Sequence, residues 1–302
     1  MNPLPSRWWR RARLGAGIGL LAFIVDRLGT GPFVAGVRAL GPLPIVVALA
    51  ITAFTTALCA WRWRRLVMAL GGELAWPAAI GAYYRSQFLD AILPGGILGD
   101  VHRGLRRGRA TGNLPRALQA VLLERLLGQA VQVLLALAAL FACPLAVQRL
   151  LWPWVVAGML VLLALWWARR TRRHVGRGRG FDLPAGWRQI GWCAWAAGAV
   201  ASALAVGGYV ALFFVAGVAV GGRPAVGMWL PLALVVLAAA ALPLNVAGFG
   251  PREGAAGWLF AMTGLGAANG VAVATAYGLL SLVACSPGGV LLLADAWRAR
   301  HA

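Results

Sequence analysis

Long apolar runs without charge recur along the chain, and short stretches crowded with arginine separate them. A helix needs about 20 apolar residues to cross a hydrocarbon core. The runs therefore predict membrane-crossing helices over residues 14–28, 43–61, 113–141, 150–168 and 225–242. The uncharged run 189–222 exceeds one untilted crossing and reads as a single long helix, with Gly207-Gly208 offering a bend near its middle. The run 254–294 is divided by Thr263-Gly264-Leu265-Gly266-Ala267-Ala268-Asn269-Gly270 into a short arm and a full final helix. Residues 76–89 read as an amphipathic helix, and Asn113-Leu114-Pro115 as a helix start, with a capping side chain before a first-turn proline. The pattern thus predicts an all-α, polytopic membrane protein of about eight transmembrane helices, forming a single integral membrane domain over residues 1–302.

Two segments break this pattern and are read as broken or re-entrant. The first runs Leu93-Pro94-Gly95-Gly96-Ile97-Leu98-Gly99-Asp100-Val101-His102-Arg103, and the second Leu242-Pro243-Leu244-Asn245-Val246-Ala247-Gly248-Phe249-Gly250-Pro251-Arg252-Glu253. Proline removes a backbone donor and glycine loosens a helix, so Pro94, Gly95, Gly96 and Gly99, and Pro243, Asn245, Gly248 and Gly250, free backbone polar groups at membrane depth. Lipid tolerates that only where protein or a wet cavity satisfies the freed groups. Both segments share an outline of Leu-Pro, small or polar residues, then glycines and a charged pair, which suggests an internal repeat. With an even number of crossings between them, an inverted arrangement would require one segment to be re-entrant.

Composition agrees: 61% of the 302 residues are hydrophobic and 12% charged, too few polar side chains to clothe a soluble globule of this length. The net charge of +20 comes from arginine alone, since the chain has no lysine. A nucleic-acid partner is not expected, because the arginines cluster between apolar runs instead of forming one basic face. Arg62, Arg64 and Arg65 mark the cytoplasmic end of the second span, and Arg103, Arg106, Arg107, Arg109 and Arg116 an arginine-rich loop. The basic tail 1–13 and the basic loop 169–188 are both expected in the cytoplasm, as is the carboxyl end at Asp295, Arg298 and Arg300. A cleaved signal is disfavoured, because Asp26 and Arg27 follow the first apolar run where small residues would be needed. Trp8, Trp9, Trp61, Trp63, Trp76, Trp166, Trp167 and Trp297 lie near span ends and read as interface anchors. Cys59, Cys143, Cys193 and Cys285 stand apart in apolar surroundings, as packing residues do.

Of only eight acidic residues, Asp90, Asp100, Glu124 and Glu253 fall in or beside the broken segments. A charge at the bilayer centre costs about 2.5–3.5 kcal/mol even on a lenient scale, so these groups should face partners or a watery cavity. Asp100 and Arg103 are three residues apart. Glu124 and Arg125 sit well inside a span, and the adjacent Arg252 and Glu253 point different ways, so that each could seek a partner in the other segment. Two readings follow: a polar cavity in which arginines hold a lipid phosphate, or an ion-pair network that locks the broken helices. Pro287-Gly288-Gly289, with no charge nearby, reads as close helix packing, as does Gly15-Ala16-Gly17-Ile18-Gly19, which follows no strand. His102 beside Asp100 lacks further ligands for a metal, and no cofactor is expected.

Arg62-Trp63-Arg64-Arg65-Leu66, Tyr83-Tyr84, Phe88-Leu89, the Pro94 to Arg103 segment, Val121-Leu122-Leu123-Glu124-Arg125, Gly248 to Gly254 and Pro287-Gly288-Gly289 occur in this order. Together they resemble the lysylphosphatidylglycerol synthase transmembrane family, also called flippase-like, over nearly the whole chain. That family includes the membrane half of the bacterial multiple-peptide-resistance factor. The resemblance implies an inner-membrane lipid translocator, with Asp100, Arg103, Glu124, Arg125, Arg252 and Glu253 along the substrate pathway. Its expected partners are a membrane phospholipid or polyprenyl-linked lipid, and either a second copy of the chain or a lipid-modifying enzyme. The chain ends soon after its last helix, so synthesis of aminoacyl lipids is not expected of it, and translocation is favoured over catalysis. A membrane enzyme of polyprenyl-phosphate or glycolipid metabolism, or a non-transporting partner of a lipid-modifying complex, is the alternative. The sequence departs from the family pattern at Leu98, where the first motif commonly has a second glycine, and in the reduced glycine turn around Phe249.

Overall fold

The computed structural model describes residues 19, 22–93, 96–141, 148–149, 152, 190–223, 225–240 and 250–301. All regular structure in them is helical: α1 Gly31–Arg38, α2 Pro42–Ala69, α3 Trp76–Ile92, α4 Leu98–Thr111, α5 Leu114–Phe141, α6 Trp192–Ala219, α7 Val226–Ala240, α8 Pro251–Met262, α9 Ala267–Cys285 and α10 Pro287–His301. Residues 22–28 form a further helical stretch ahead of α1.

Four stretches are long and apolar enough to cross a membrane: α2, α5, α6, and α9 with α10 taken together. The expected span 150–168, apart from Trp152, and the first part of 14–28, apart from Gly19, lie outside the described residues, so the structure does not carry the count to eight. α6 is a single uninterrupted helix of 28 residues, as expected of the long uncharged run. α7 is a 15-residue helix with Pro231 inside it, shorter than a full crossing requires.

Two features differ from the sequence expectation. The arginine-rich loop is helix α4, closed by Gly112 in the left-handed region at φ 67°, which lets two residues reverse the chain into α5. Asn113 opens α5 as expected, its side-chain oxygen accepting from the Arg116 amide at 3.2 Å. The second span continues past Arg62 to Ala69, so Arg62 does not mark its end. It continues a buried stripe of Thr52, Thr55, Thr56 and Cys59 spaced three or four apart, the spacing that keeps residues on one helix face.

Small residues set the packing. α2 and α6 make the most extensive helix pairing, and at Gly208 a Cβ would stand 2.3 Å from the Thr55 methyl. Gly104 and Gly108 of α4 sit four apart against Leu118 and Leu114 of α5. α10 meets α3 at the Pro287-Gly288-Gly289 segment, where a Cβ on Gly288 would lie 2.1 Å from the Tyr84 carbonyl oxygen. That segment serves packing, as its lack of charge indicated. A core of Phe213, Trp229, Phe260 and Tyr277 joins α6, α7, α8 and α9, with Trp229 and Phe260 ring centroids 5.2 Å apart.

The paired glycines of α6 give opposite expectations. Gly208→Ala should destabilise by about 1–3 kcal/mol, the cost of overpacking a tight helix contact. Gly207→Ala, with nothing within 4 Å of the new Cβ, should be neutral or gain up to about 1 kcal/mol of helix propensity. Thermal unfolding of the two purified variants in one detergent checks this; equal midpoints would refute the packing assignment.

Candidate functional site

The first broken segment separates α3 from α4, and Asp90 near the end of α3 reaches across it. Its Oδ1 accepts the Gly99 amide at 2.9 Å, satisfying a backbone donor that the start of α4 leaves without a helical partner. The two half-helices can approach this closely because Gly99 lacks a side chain; a Cβ there would lie 2.0 Å from the Ser86 carbonyl oxygen. Gly96, in the turn, adopts φ 55°. Pro94 and Gly95 lie outside the described residues.

From this junction a chain of alternating charges runs through five helices. Glu124 of α5 has 2% side-chain exposure. Its Oε1 accepts from Arg62 of α2 through Nε at 3.0 Å and through Nη2, and from the Tyr83 hydroxyl of α3 at 2.8 Å. Its Oε2 accepts from Arg103 Nη2 of α4 at 2.9 Å. The same Arg103 nitrogen donates to Asp100 Oδ1 at 2.8 Å, and Asp100 Oδ2 pairs with Arg125 Nη1. Ser86 Oγ donates to Asp100 Oδ1 at 3.1 Å, and Arg125 Nη2 to the Gly96 carbonyl at 3.1 Å. At the other end Arg62 Nη1 donates to Ser202 Oγ of α6 at 2.5 Å. The order is Arg62, Glu124, Arg103, Asp100, Arg125, with a cation at each end.

Arg103 is wholly enclosed. Its guanidinium carbon lies 4.5 Å from the Trp63 ring centroid and 4.2 Å from that of Tyr83, so two aromatic faces cover the cation. Trp63 is therefore a buried partner of Arg103, 1% exposed, and no interface anchor. The Nε and Nη1 of Arg103 are buried with no hydrogen-bond partner among the described residues.

The Arg125 end is open. Arg125 and Asp100 retain 28% and 16% side-chain exposure and line a cavity of about 220 Å³ with Asp90, Gln87, Gln129 and Gln132. Gln129 and Gln132 lie near the middle of α5, and Ala205 and Val206 on the opposite wall near the middle of α6, so this polar space sits midway along two long apolar helices.

The structure thus brings Asp100, Arg103, Glu124 and Arg125 into one network and leaves Arg252 and Glu253 off the cavity wall. Those two pair with each other, a contact that the sequence reading, in which each could seek a partner in the other segment, did not offer. Arg252 donates to Glu253 Oε1 through Nε at 2.9 Å and Nη2 at 2.6 Å. Glu253 Oε2 accepts the Gly250 amide at 2.6 Å, capping the start of α8, and Gly250 adopts φ 127°. A Cβ on Gly278 of α9 would lie 2.1 Å from Arg252 Nη2, so the guanidinium is packed against that helix. Pro243, Asn245 and Gly248 lie outside the described residues. Sequence reasoning passed over Arg62, Tyr83 and Ser202. Arg62 was signalled by the polar stripe of α2, and Gln129 and Gln132 by their spacing of four and seven from Arg125.

The family described as the lysylphosphatidylglycerol synthase TM region matches residues 11–289, including every residue of this network. The chain belongs to this family. No curated protein and no solved structure matches it. Membership of the lysylphosphatidylglycerol synthase TM family, with the long apolar helices, makes it a multi-pass membrane protein related to lipid modification or transport.

Glu124→Gln should destabilise by about 3–5 kcal/mol, because it leaves Arg62 and Arg103 buried without their counter-charge. Asp100→Asn, at the partly open end, should cost clearly less. Thermal unfolding and monodispersity on size exclusion check the order, and equal losses would contradict it.

Proposed function

We propose that the protein moves a phospholipid or lipid-linked headgroup between leaflets, with the headgroup passing the polar cavity and the acyl chains remaining in lipid. One observation carries this reading: the buried ion chain ends in a partly exposed Arg125 on a polar cavity midway along apolar helices. A guanidinium is suited to a phosphate, which it grips through two parallel N–H donors. Asp100, now on Arg125, is the group that an incoming phosphate replaces, and Asp100 and Asp90 are available to a cationic headgroup. A network serving only to lock the half-helices would have no need of an open end. Family membership supports a lipid as cargo.

The clusters of arginine at the loop ends of α2 and α4 support placing those ends, and both termini, on the cytoplasmic side of the inner membrane. The driving force is a lipid gradient, an ion gradient or the membrane potential, which acts at about 2.3 kcal/mol per charge per 100 mV.

Leaflet exchange of labelled phospholipids, aminoacylated and polyprenyl-linked species included, in liposomes holding the purified protein tests the reading. Headgroup-selective exchange is expected, falling about tenfold in Arg125→Gln, the loss of about 1.4 kcal/mol of headgroup interaction. Absence of exchange for every lipid, with folding intact, would sink the proposal and favour a membrane enzyme or a non-transporting partner of a lipid-modifying complex.

A further inference from the structure

A second and larger space, about 410 Å³, lies apart from the mid-helix cavity. Trp63 and Arg103 stand on its wall, whereas Tyr83 stands on the wall of the mid-helix cavity. The stack of Trp63, Arg103 and Tyr83 therefore separates the two spaces. The second one opens among the arginine-rich ends of the helices, bounded by α3, α4 and Leu291 of α10.

Among the described residues, Arg85, Arg103, Arg106 and Arg107 line it and no acidic residue does. Arg103 is already balanced within the ion chain. Against the other three stands Asp295 of α10, which pairs with Arg85 at 2.8 Å and Arg106 at 2.5 Å. Arg107 donates to the Glu73 carbonyl at 2.7 Å, an uncharged acceptor, and makes no ion pair among the described residues. Independently of this excess, Arg103, a lining residue, carries two buried N–H groups with no acceptor among the described residues, an arrangement that proteins rarely tolerate.

We infer that this space is a phosphate-binding site, taking a phosphodiester headgroup or a free phosphate, with Asp295 as a built-in competitor for two of its arginines. Several convergent guanidiniums are the donor set that phosphate oxygens match, and the volume lies in the range of small-molecule pockets. As an entry position for the headgroup on its way to Arg125, the site rests on the proposed translocation; as a binding site it does not.

The test is the rise in melting temperature of the full chain in a nonionic detergent on titration with dihexanoyl phosphatidylglycerol or, separately, sodium phosphate at constant ionic strength. Saturable stabilisation is expected, by the lipid alone if the headgroup is the ligand and by both if free phosphate suffices. Arg106→Gln, at a side chain 49% exposed and so tolerant of change, should weaken half-saturation about tenfold, the scale of one charge-assisted contact. Asp295→Asn should tighten it by roughly threefold to tenfold, a gain that mere loosening of α10 would not give. Arg109→Gln, the same charge change off the wall, should leave it unaltered.

No saturation with either probe, or equal effects of Arg106→Gln and Arg109→Gln, would overturn the inference. Leaflet exchange lost in Arg125→Gln but probe binding insensitive to Arg106 and Asp295 would defeat this site and leave translocation standing. Graded binding without exchange of any lipid would do the reverse.

Discussion

Glu124 is a carboxylate carried into the middle of an apolar bundle, and the arrangement of α2 to α6 follows from keeping it satisfied. Alone at that depth it would cost several kcal/mol. Four donor groups from three other helices converge on it: two from Arg62, one from Tyr83 and one from Arg103. Ser202 ties a fifth helix in through Arg62. The gain from each contact is large because the surroundings are dry, and the penalty for removing one is large for the same reason. Helices so tied cannot slide independently. Gly128 on α5 leaves the room that the Arg62 guanidinium needs, and Gly198 on α6 the room for Leu127 of α5.

The two broken segments share an outline and differ in how their charges end. In the second, Arg252 and Glu253 pair, the capping bond to Gly250 takes the other carboxylate oxygen, and Gly278 packs on the guanidinium. In the first, alternation of three cations with two anions necessarily leaves a cation at each end. One end is closed by Ser202 and the other opens at Arg125. The resemblance in sequence is thus one of helix interruption, while among the described residues the charges that line the mid-helix cavity come from the first segment and the helices packed on it.

Much of this was legible in the sequence. The apolar runs identify α2, α5, α6 and the final helices, and the acids inside them mark Asp100 and Glu124 as groups needing partners. What the sequence hid was direction. Arginines at the end of an apolar run read as a membrane boundary, and Arg64 and Arg65 fit that reading, but Arg62 lies on the face carrying Thr55 and Cys59 and turns inward. Likewise the arginine-rich stretch after Asp100 has the composition of a loop, yet Gly104 and Gly108 let it lie against α5 as a helix, which delivers Arg103 to Glu124. The mutual pairing of Arg252 and Glu253 was equally hidden, since neighbours on a helix point apart and only the rotamer of a long side chain folds one back onto the other.

A network of paired buried ions is at first sight ill suited to passing a charged group, since pulling any of its ions apart would leave an uncompensated charge in lipid. Exchange of partners avoids that cost. In the proposed pathway a phosphate that takes the place of Asp100 on Arg125 keeps the cation paired, and the displaced carboxylate retains Arg103 and Ser86. Charge is conserved at each step and no ion stands alone. The alternation that holds the half-helices together is therefore also what would let one anion be traded for another at the open end, so the ion chain can serve the structure and the passage of a headgroup with the same residues.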